Sequence, residues 1–304
     1  MKSISYYFHN PFKIIASLTL RFKCFIPDKL FLKIEFRNRL GYSLNLDNPQ
    51  AFSEKIQWLK LYNRKPEYTI MVDKVKAKEY VARIIGDKYI IPNIGVWSDP
   101  DDIEFDKLPE RFVLKCNHNS GTGMYICKDK SLINVESVKA ELRKGLKENY
   151  FIMNREWPYK NVPRRIFAEQ FVDPTPGSTD LTDYKWYCFN GEPKYCQVIQ
   201  NRSSNETIDF FDTEWKHQDF IGLNPDASGP SSNFPKQPNN LELHISIAKK
   251  LSKNMPFARI DLYESGEKTY FGEITLFPQS GFGMFKPEKY NKILGDMITL
   301  PSRS

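Results

Sequence analysis

The most informative part of the sequence lies near the C-terminus and reads Arg259-Ile260-Asp261-Leu262-Tyr263, a polar turn, then Tyr270-Phe271-Gly272-Glu273-Ile274-Thr275. Apolar residues on both sides of the turn Glu264-Ser265-Gly266-Glu267-Lys268 predict two antiparallel strands joined by a short loop. Counting outward from the turn places Asp261 and Glu273 side by side on one face. Two such carboxylates repel unless a cation lies between them, and Mg²⁺ suits them because it prefers hard oxygen ligands and binds phosphates.

The alternative for these carboxylates is plain solvation, since Asp and Glu on neighbouring strands are usually surface residues. The hairpin therefore predicts a metal site only if the rest of the chain supplies a nucleotide site.

Bulk composition is that of an ordinary globular protein. The 304 residues, 40% of them hydrophobic, suit two modest domains or one domain with several lobes. The chain has five scattered cysteines and no metal-binding cysteine spacing, which indicates a reducing compartment and predicts a cytoplasmic protein. They are Cys24, Cys116, Cys127, Cys188 and Cys196.

The net charge of +7 suits nucleic acid, an anionic membrane surface or an anionic substrate. Basic and acidic residues interleave and no nucleic-acid motif occurs, so we expect no nucleic-acid partner. No run approaches the ~20 apolar residues of a membrane span. Residues 12–26 are apolar and basic but lack a signal-peptide cleavage site. We expect them to dock on the protein's own core, with peripheral contact to the inner membrane face as the alternative.

Apolar spacing predicts a mostly helical segment over residues 1–70, followed by a helix over 73–85. Further helices are predicted over residues 134–150 and 241–251, and strands over 89–92, 111–115, 166–172, 184–189 and 194–200. Residues 201–239 are rich in Ser, Asn, Pro and Asp, which predicts long loops around one short strand.

A phosphate-binding loop is the best interpretation of residues 112–126, where an apolar strand ends at Lys115 and passes through Asn117-His118-Asn119-Ser120-Gly121-Thr122-Gly123. Glycines let backbone N–H groups approach phosphate oxygens, and Lys115 adds a point charge. The loop matches neither the Walker nor the GxGxxG pattern, so a plain hairpin turn is the alternative. His118 has no evident catalytic partner, which favours a structural role.

Three further segments supply parts of a nucleotide site. The run from Asp73 to Lys78 is either a solvated basic face or the source of a lysine for phosphate. Residues 166–173 form a strand that runs into a hinge, which can offer backbone groups to adenine and a carboxylate to ribose. Asp183-Tyr184-Lys185 begins another strand, from which Lys185 can reach the same cleft.

Taken in order, these segments resemble the ATP-grasp superfamily, and most closely the TupA-like ATP-grasp family of bacterial surface-polysaccharide clusters. The resemblance runs from about residue 45 to residue 300 and includes the lead-in over residues 47–59. The Arg-Val-Asp and Glu-Ile-Asn signatures of D-alanine–D-alanine ligases are similar to Arg259-Ile260-Asp261 and Glu273-Ile274-Thr275.

The resemblance implies an α+β ATP-grasp fold, in which two α+β lobes clasp ATP behind a short helical N-terminal extension. Residues 1–70 would form that extension. Residues 71–165 would form lobe A with the phosphate loop, and residues 166–304 lobe B with the adenine hinge and the metal site.

The resemblance also implies roles for individual residues. The ATP-binding set is Lys78, Lys115, Ser120, Gly121, Thr122, Gly123, Glu169, Gln170, Phe171, Val172, Asp173 and Lys185. The Mg²⁺ ligands are Asp261, Glu273 and Thr275, and Arg259 is the catalytic residue that neutralises charge. Thr275 stands where most ligases have Asn, and Asn119 where the family usually has glycine; Asn tolerates the left-handed backbone that such a position would need.

The implied function is an ATP- and Mg²⁺-dependent carboxylate–amine ligase that acts through an acyl phosphate. Family context suggests that it joins a uronic-acid carboxylate of an anionic glycan or nucleotide sugar to an amino acid. Phosphoryl transfer to a sugar hydroxyl and a non-catalytic role in glycan assembly are the alternatives. A glycosyltransferase is a further one, although no paired Asp-x-Asp motif occurs.

Overall fold

The computed structural model describes residues 18–174, 181–200, 206–223 and 229–303. Its helices are α1 (Asp28–Leu40), α2 (Phe52–Tyr62), α3 (Glu67–Val72), α4 (Lys76–Ile85), α5 (Val135–Lys147), α6 (Tyr150–Asn154), α7 (Leu241–Leu251) and α8 (Lys289–Asp296). Its strands are β1 (Asn93–Trp97), β2 (Phe112–Cys116), β3 (Met124–Cys127), β4 (Ile166–Gln170), β5 (Thr182–Phe189), β6 (Glu192–Gln200), β7 (Thr207–Asp212), β8 (Ile221–Gly222), β9 (Phe257–Ser265), β10 (Lys268–Thr275) and β11 (Phe285–Lys286).

Two antiparallel sheets organise the described residues. The first has the strand order β1-β4-β2-β3 and the second the order β10-β9-β5-β6-β7, while β8 and β11 form a separate two-stranded ladder. Antiparallel sheets combined with separate helices make this an α+β protein, as predicted.

The four-stranded sheet packs one face on α5. Burial alternates along β2, so Phe112 and Leu114 point into a core with Val138 and Leu142 of α5. The opposite face carries Lys115, which therefore points away from this core.

The five-stranded sheet shares its core with the N-terminal helices. Phe31 and Phe36 of α1 are buried in the same cluster as Trp186 of β5. The Phe52 ring of α2 meets the Phe257 ring of β9 edge-on, with centroids 5.0 Å apart. The N-terminal helices therefore pack on a sheet that includes strands from the C-terminal part of the chain.

Several predicted boundaries differ from the structure. The strand predicted over residues 89–92 is wrong, because the strand here is β1, over Asn93–Trp97. Ile90 makes only an isolated bridge to Phe271, and Pro92 has no N–H to donate to a ladder. The helix predicted over 73–85 begins at Lys76, because the Asp73 carboxylate accepts a hydrogen bond from the Val75 N–H at 3.0 Å and holds a turn there.

The loop prediction for residues 201–239 includes a short strand, and β7 is that strand. Residues 201–205 and 224–228 lie outside the described residues, as do residues 12–17 of the apolar basic segment. In the remainder of that segment Ile26 packs on the core, whereas Phe22 and Phe25 are exposed. Within the described ranges, no helix has both the length and the apolar character needed to cross a membrane.

Candidate active site

A cleft of about 650 Å³ lies between the two sheets. Its floor is one face of the five-stranded sheet, with Lys185, Asp261 and Glu273 among the lining side chains. The opposite wall includes the end of β2 and residues 119–123 of the loop that follows it. The predicted metal residues and the predicted phosphate loop therefore face each other across one cavity.

A β-bulge at Gly272 brings the two predicted carboxylates together. Phe271 pairs with Leu262, but the register then shifts so that Glu273 pairs with Asp261. Without the extra residue, Gly272 would oppose Asp261 and the Glu273 side chain would point to the other face of the sheet. A Cβ at position 272 would lie 2.7 Å from the Tyr263 ring, so only glycine fits without adjustment.

Three side-chain oxygens converge on one atom in the cleft. The Arg259 Nη2 donates to Asp261 Oδ2 at 2.7 Å, to Glu273 Oε1 at 3.1 Å and to Thr275 Oγ1 at 3.0 Å. The Thr275 hydroxyl in turn donates to Glu273 Oε1 at 2.9 Å. The residues predicted as metal ligands thus surround a single positively charged position.

Neighbouring cations surround this acidic cluster. Lys185 donates a hydrogen bond to Asp261. Loss of water in the cleft raises the pKa of Glu273, but Lys74, Arg259 and Lys185 outweigh that effect and lower the pKa to about 2. Burial lowers the pKa of the Arg259 guanidinium, yet the Asp261 carboxylate more than offsets this, so the net shift is upward.

The donor set suits a hard cation. Two carboxylates and a hydroxyl offer the oxygen ligands that Mg²⁺ prefers. Within the described part of the chain, no group of three or more His, Cys, Asp or Glu residues is arranged to hold a metal ion. A cation between Asp261, Glu273 and Thr275 would need to take the place that Arg259 fills in this structure.

The predicted phosphate loop is shaped by its glycines. Gly121 and Gly123 have positive φ values, 91° and 66°. A Cβ at Gly123 would lie 2.8 Å from the Gly145 Cα of α5, so the loop touches that helix through two glycines. Asn119 does not have the left-handed conformation; its amide instead donates to the Gly145 carbonyl at 3.1 Å and anchors the loop.

Glu169 joins the two predicted lysines. It accepts hydrogen bonds from Lys115 and, at 2.8 Å, from Lys78. Burial raises the pKa of the Glu169 carboxyl. The positive charges of Lys115 and Lys78 lower this pKa by a larger amount, so the net shift is downward. Lys78 also donates to the Ile91 carbonyl at 2.8 Å, and it does not line the cleft.

Lys74 is a further lysine close to the predicted phosphate loop. It lines the cleft and donates a hydrogen bond to the Asn119 carbonyl of the phosphate loop. The Asn117 amide binds the Asp73 carboxylate at 2.9 Å, which ties the loop to the turn that carries Lys74.

The predicted hinge lines a separate cavity. Gln170, Phe171, Val172 and Asp173 contribute to a space of about 490 Å³, next to the turn of the β9–β10 hairpin. Asp173 binds Arg111, with Nη2 and Oδ2 3.0 Å apart. The structure therefore does not place these hinge residues in the cavity of the phosphate loop.

Some cleft residues were not predicted from the sequence. Arg39 of α1, Tyr150 and Asn154 of α6, and Glu156 line the end of the cleft beyond Glu273. Nothing in their local sequence distinguishes them, because they come together only through packing.

Comparison with known proteins gives one extensive match. The family model described as TupA-like ATPgrasp matches residues 54–299. No curated protein matches the chain.

Solved structures show weaker likeness. They include D-alanine–D-alanine ligase from Bacillus anthracis complexed with ATP, at 17% identity and a TM-score of 0.38, covering 68% of this chain and 54% of that one. D-alanine–D-alanine ligase from Coxiella burnetii is 12% identical with a TM-score of 0.44, covering 81% and 64%. The ATP-grasp ligase PsnB complexed with minimal precursor, Mg and ADP is 10% identical with a TM-score of 0.36, covering 74% and 57%. The chain thus spans about half of the first of these proteins.

Proposed function

Because the chain belongs to the TupA-like ATP-grasp family, we propose that it is an ATP- and Mg²⁺-dependent ligase that joins a carboxylate to an amine. Its α+β architecture is the ATP-grasp fold that the sequence predicted. One observation carries the proposal: the oxygens of Asp261, Glu273 and Thr275 converge on one cationic position, across the cleft from Lys115 and the phosphate loop.

In this reaction the protein mainly positions the reactants and neutralises their negative charge. A substrate carboxylate oxygen attacks the γ-phosphorus of ATP and ADP leaves; the amine then attacks the acyl carbon, phosphate leaves and the amine loses a proton. Mg²⁺, when bound by the acidic cluster, would neutralise phosphate charge. Arg259 and Lys185 supply positive charge from the floor of the cleft, while Lys74 and Lys115 supply it from the opposite wall.

The carboxylate we propose is that of a uronic acid in a surface glycan or its nucleotide-sugar precursor, and the amine is that of an amino acid. The net charge of +7 supports an anionic substrate. We further propose a cytoplasmic protein that contacts the inner membrane face. Phe22 and Phe25 are 50% and 87% exposed beside Arg21 and Lys23, a combination that suits an anionic lipid surface.

Trapping the acyl phosphate tests the proposed reaction. The full chain is incubated with Mg-ATP, a panel of uronates and hydroxylamine, a small nucleophile that converts an acyl phosphate into a hydroxamate. We expect hydroxamate and ADP in equal amounts, and loss of both in Asp261→Asn. A phosphorylated sugar without hydroxamate would favour phosphoryl transfer. Absence of any thermal shift with Mg-ATP would overturn the nucleotide site itself.

A further inference from the structure

The end of the cleft beyond Glu273 is lined by Arg39 of α1, by residues in and after α6 such as Glu156, and by the turn at Ser280. Arg39 lines this end, and its side chain is 37% exposed. Helix α1 packs on the core of the five-stranded sheet. Arg39 therefore reaches the cleft from a different part of the chain than the wall formed by β2 and the predicted phosphate loop.

Arg39 is held in a fixed orientation by three contacts. Its Nε donates to the buried Glu35 Oε2 at 3.1 Å, and its Nη2 donates to Asn154 Oδ1 at 3.1 Å. Its guanidinium carbon lies 4.4 Å above the centre of the Phe282 ring. A guanidinium has five N–H donors, so these contacts leave donors for a ligand. Such a fixed, planar fork matches the two oxygens of a carboxylate.

The backbone opposite Arg39 is strained. Gln279, Ser280 and Gly281 have consecutive positive φ values of 48°, 53° and 68°. The buried amide of Gln57 holds this turn by donating to the carbonyls of Ser280 at 3.1 Å and Gly281 at 2.8 Å. A strained turn kept in place by buried hydrogen bonds is typical of a ligand-binding position.

A carboxylate completes this end of the cleft. Glu156 lines the cavity and accepts a hydrogen bond from the Ser280 hydroxyl at 2.6 Å. The rings of Tyr150 and Tyr159 lie beside it, 4.7 Å apart between centroids. A carboxylate and aromatic faces are the groups that hold an ammonium ion.

The charges here are balanced. Arg39 faces the buried Glu35, and the buried Lys60 donates to the Asn154 carbonyl at 2.8 Å and interacts with Glu156. No excess of positive charge is available for a phosphate dianion. A zwitterion, with one positive and one negative group, fits better.

We propose that this end of the cleft binds the amino-acid co-substrate, with its α-carboxylate on Arg39 and its ammonium group at Glu156. The inference rests on the proposed ligase function, because the bound amine then lies beside the acidic cluster where the acyl phosphate would form. This arrangement also distinguishes the two substrate carboxylates. The α-carboxylate of the amino acid is bound by Arg39 and is not phosphorylated, whereas the carboxylate of the other substrate reaches the γ-phosphate.

Binding to the Mg–ADP complex of the full chain tests the proposal. Isothermal titration with each of the common amino acids, and with the amide in which its α-carboxylate is neutral, should identify an amino acid that binds while its amide does not. Arg39→Gln should weaken that binding about tenfold or more. Arg37→Gln is the matched control, since Arg37 is on the same helix but does not line the cleft.

Two further variants guard against a folding defect. Arg39→Gln leaves the Glu35 carboxylate buried without its charged partner, so the double variant Glu35→Gln/Arg39→Gln removes both charges. Arg39→Lys keeps the charge but loses the planar fork and should give an intermediate affinity. All these variants should bind Mg–ADP like the wild type.

The outcomes are distinguishable. If the wild type does not bind Mg–ADP, the proposed function fails. If it binds Mg–ADP but no amino acid, or binds one equally well after Arg39→Gln, the co-substrate site is wrong. Arg39-dependent binding of glucuronate in place of any amino acid would also overturn it.

Discussion

Replacing Gly272 by alanine tests whether the bulge creates the acidic cluster. The added Cβ would lie 2.7 Å from the Tyr263 Cε2 and 3.1 Å from the Asp261 carbonyl oxygen. The Tyr263 ring is half-buried and can turn aside, whereas the Asp261 carbonyl cannot move without moving the proposed ligand. We therefore expect Gly272→Ala to lower the free energy of unfolding by about 1–2 kcal/mol.

The larger effect should fall on nucleotide binding. If the strand relieves the clash by losing the bulge, Glu273 turns to the other face and leaves Asp261 and Thr275. We expect the affinity for Mg–ATP to fall about tenfold or more, which corresponds to about 1.4 kcal/mol. Isothermal titration measures the affinity, and urea unfolding measures the stability.

Gly266→Ala is the matched control, because Gly266 lies in the turn of the same hairpin. It has a positive φ of 60°, and an added Cβ would meet no heavy atom within 4 Å beyond its chain neighbours. Alanine there costs about 1 kcal/mol of backbone strain but leaves the register intact. The reasoning is refuted if Gly272→Ala binds Mg–ATP like the wild type, or if Gly266→Ala loses as much affinity.

Three further predictions concern the walls of the cleft. Lys74→Gln should weaken Mg–ATP binding about tenfold, with a smaller loss of stability than Lys78→Gln. Lys78→Gln should lower the unfolding free energy by about 1–3 kcal/mol because it breaks a buried ion pair. Equal effects of both variants on nucleotide affinity would contradict this assignment. The pKa of Glu273 lies below its ordinary value of 4.5, at about 2, so its contribution to stability is present above pH 4.5 and is lost as the pH falls through 2. Urea unfolding between pH 2 and pH 6 should show a shallower pH dependence for Glu273→Gln, and an unchanged slope would refute it. Gly145→Ala should destabilise the protein by about 1–3 kcal/mol, since its Cβ would lie 2.5 Å from the Gly123 Cα; a melting temperature within about 1 °C of the wild type would show that the loop and helix can separate.

Several cations of the cleft are paired with protein carboxylates in this structure. Lys115 binds Glu169, Lys185 binds Asp261, and Arg259 binds both members of the hairpin pair. Phosphate binding must exchange these ion pairs for contacts with ATP, so the net gain is smaller than the contacts with ATP alone would give. The same pairs keep several buried charges satisfied before the nucleotide arrives.

Features that depend on near neighbours in the chain could be predicted from the sequence. The alternation around Gly266 predicted the β9–β10 hairpin, and the strand ending at Lys115 before a glycine loop predicted β2, the loop and β3. The order of these segments was enough to identify the family. Local spacing carries this information because strand periodicity and turn chemistry act over a few residues.

Which side chains meet in the cleft depends on packing between distant parts of the chain. The bulge at Gly272 sets the face on which Glu273 lies. The hydrogen bond from Asn117 to Asp73, 44 residues earlier in the chain, ties the turn that carries Lys74 to the loop after β2. Arg39 reaches the end of the cleft beyond Glu273 because α1 packs on the five-stranded sheet, whose strands are far from α1 in the sequence. Spacing in the sequence cannot report these choices, since side-chain direction across elements is fixed by packing between residues far apart in the chain.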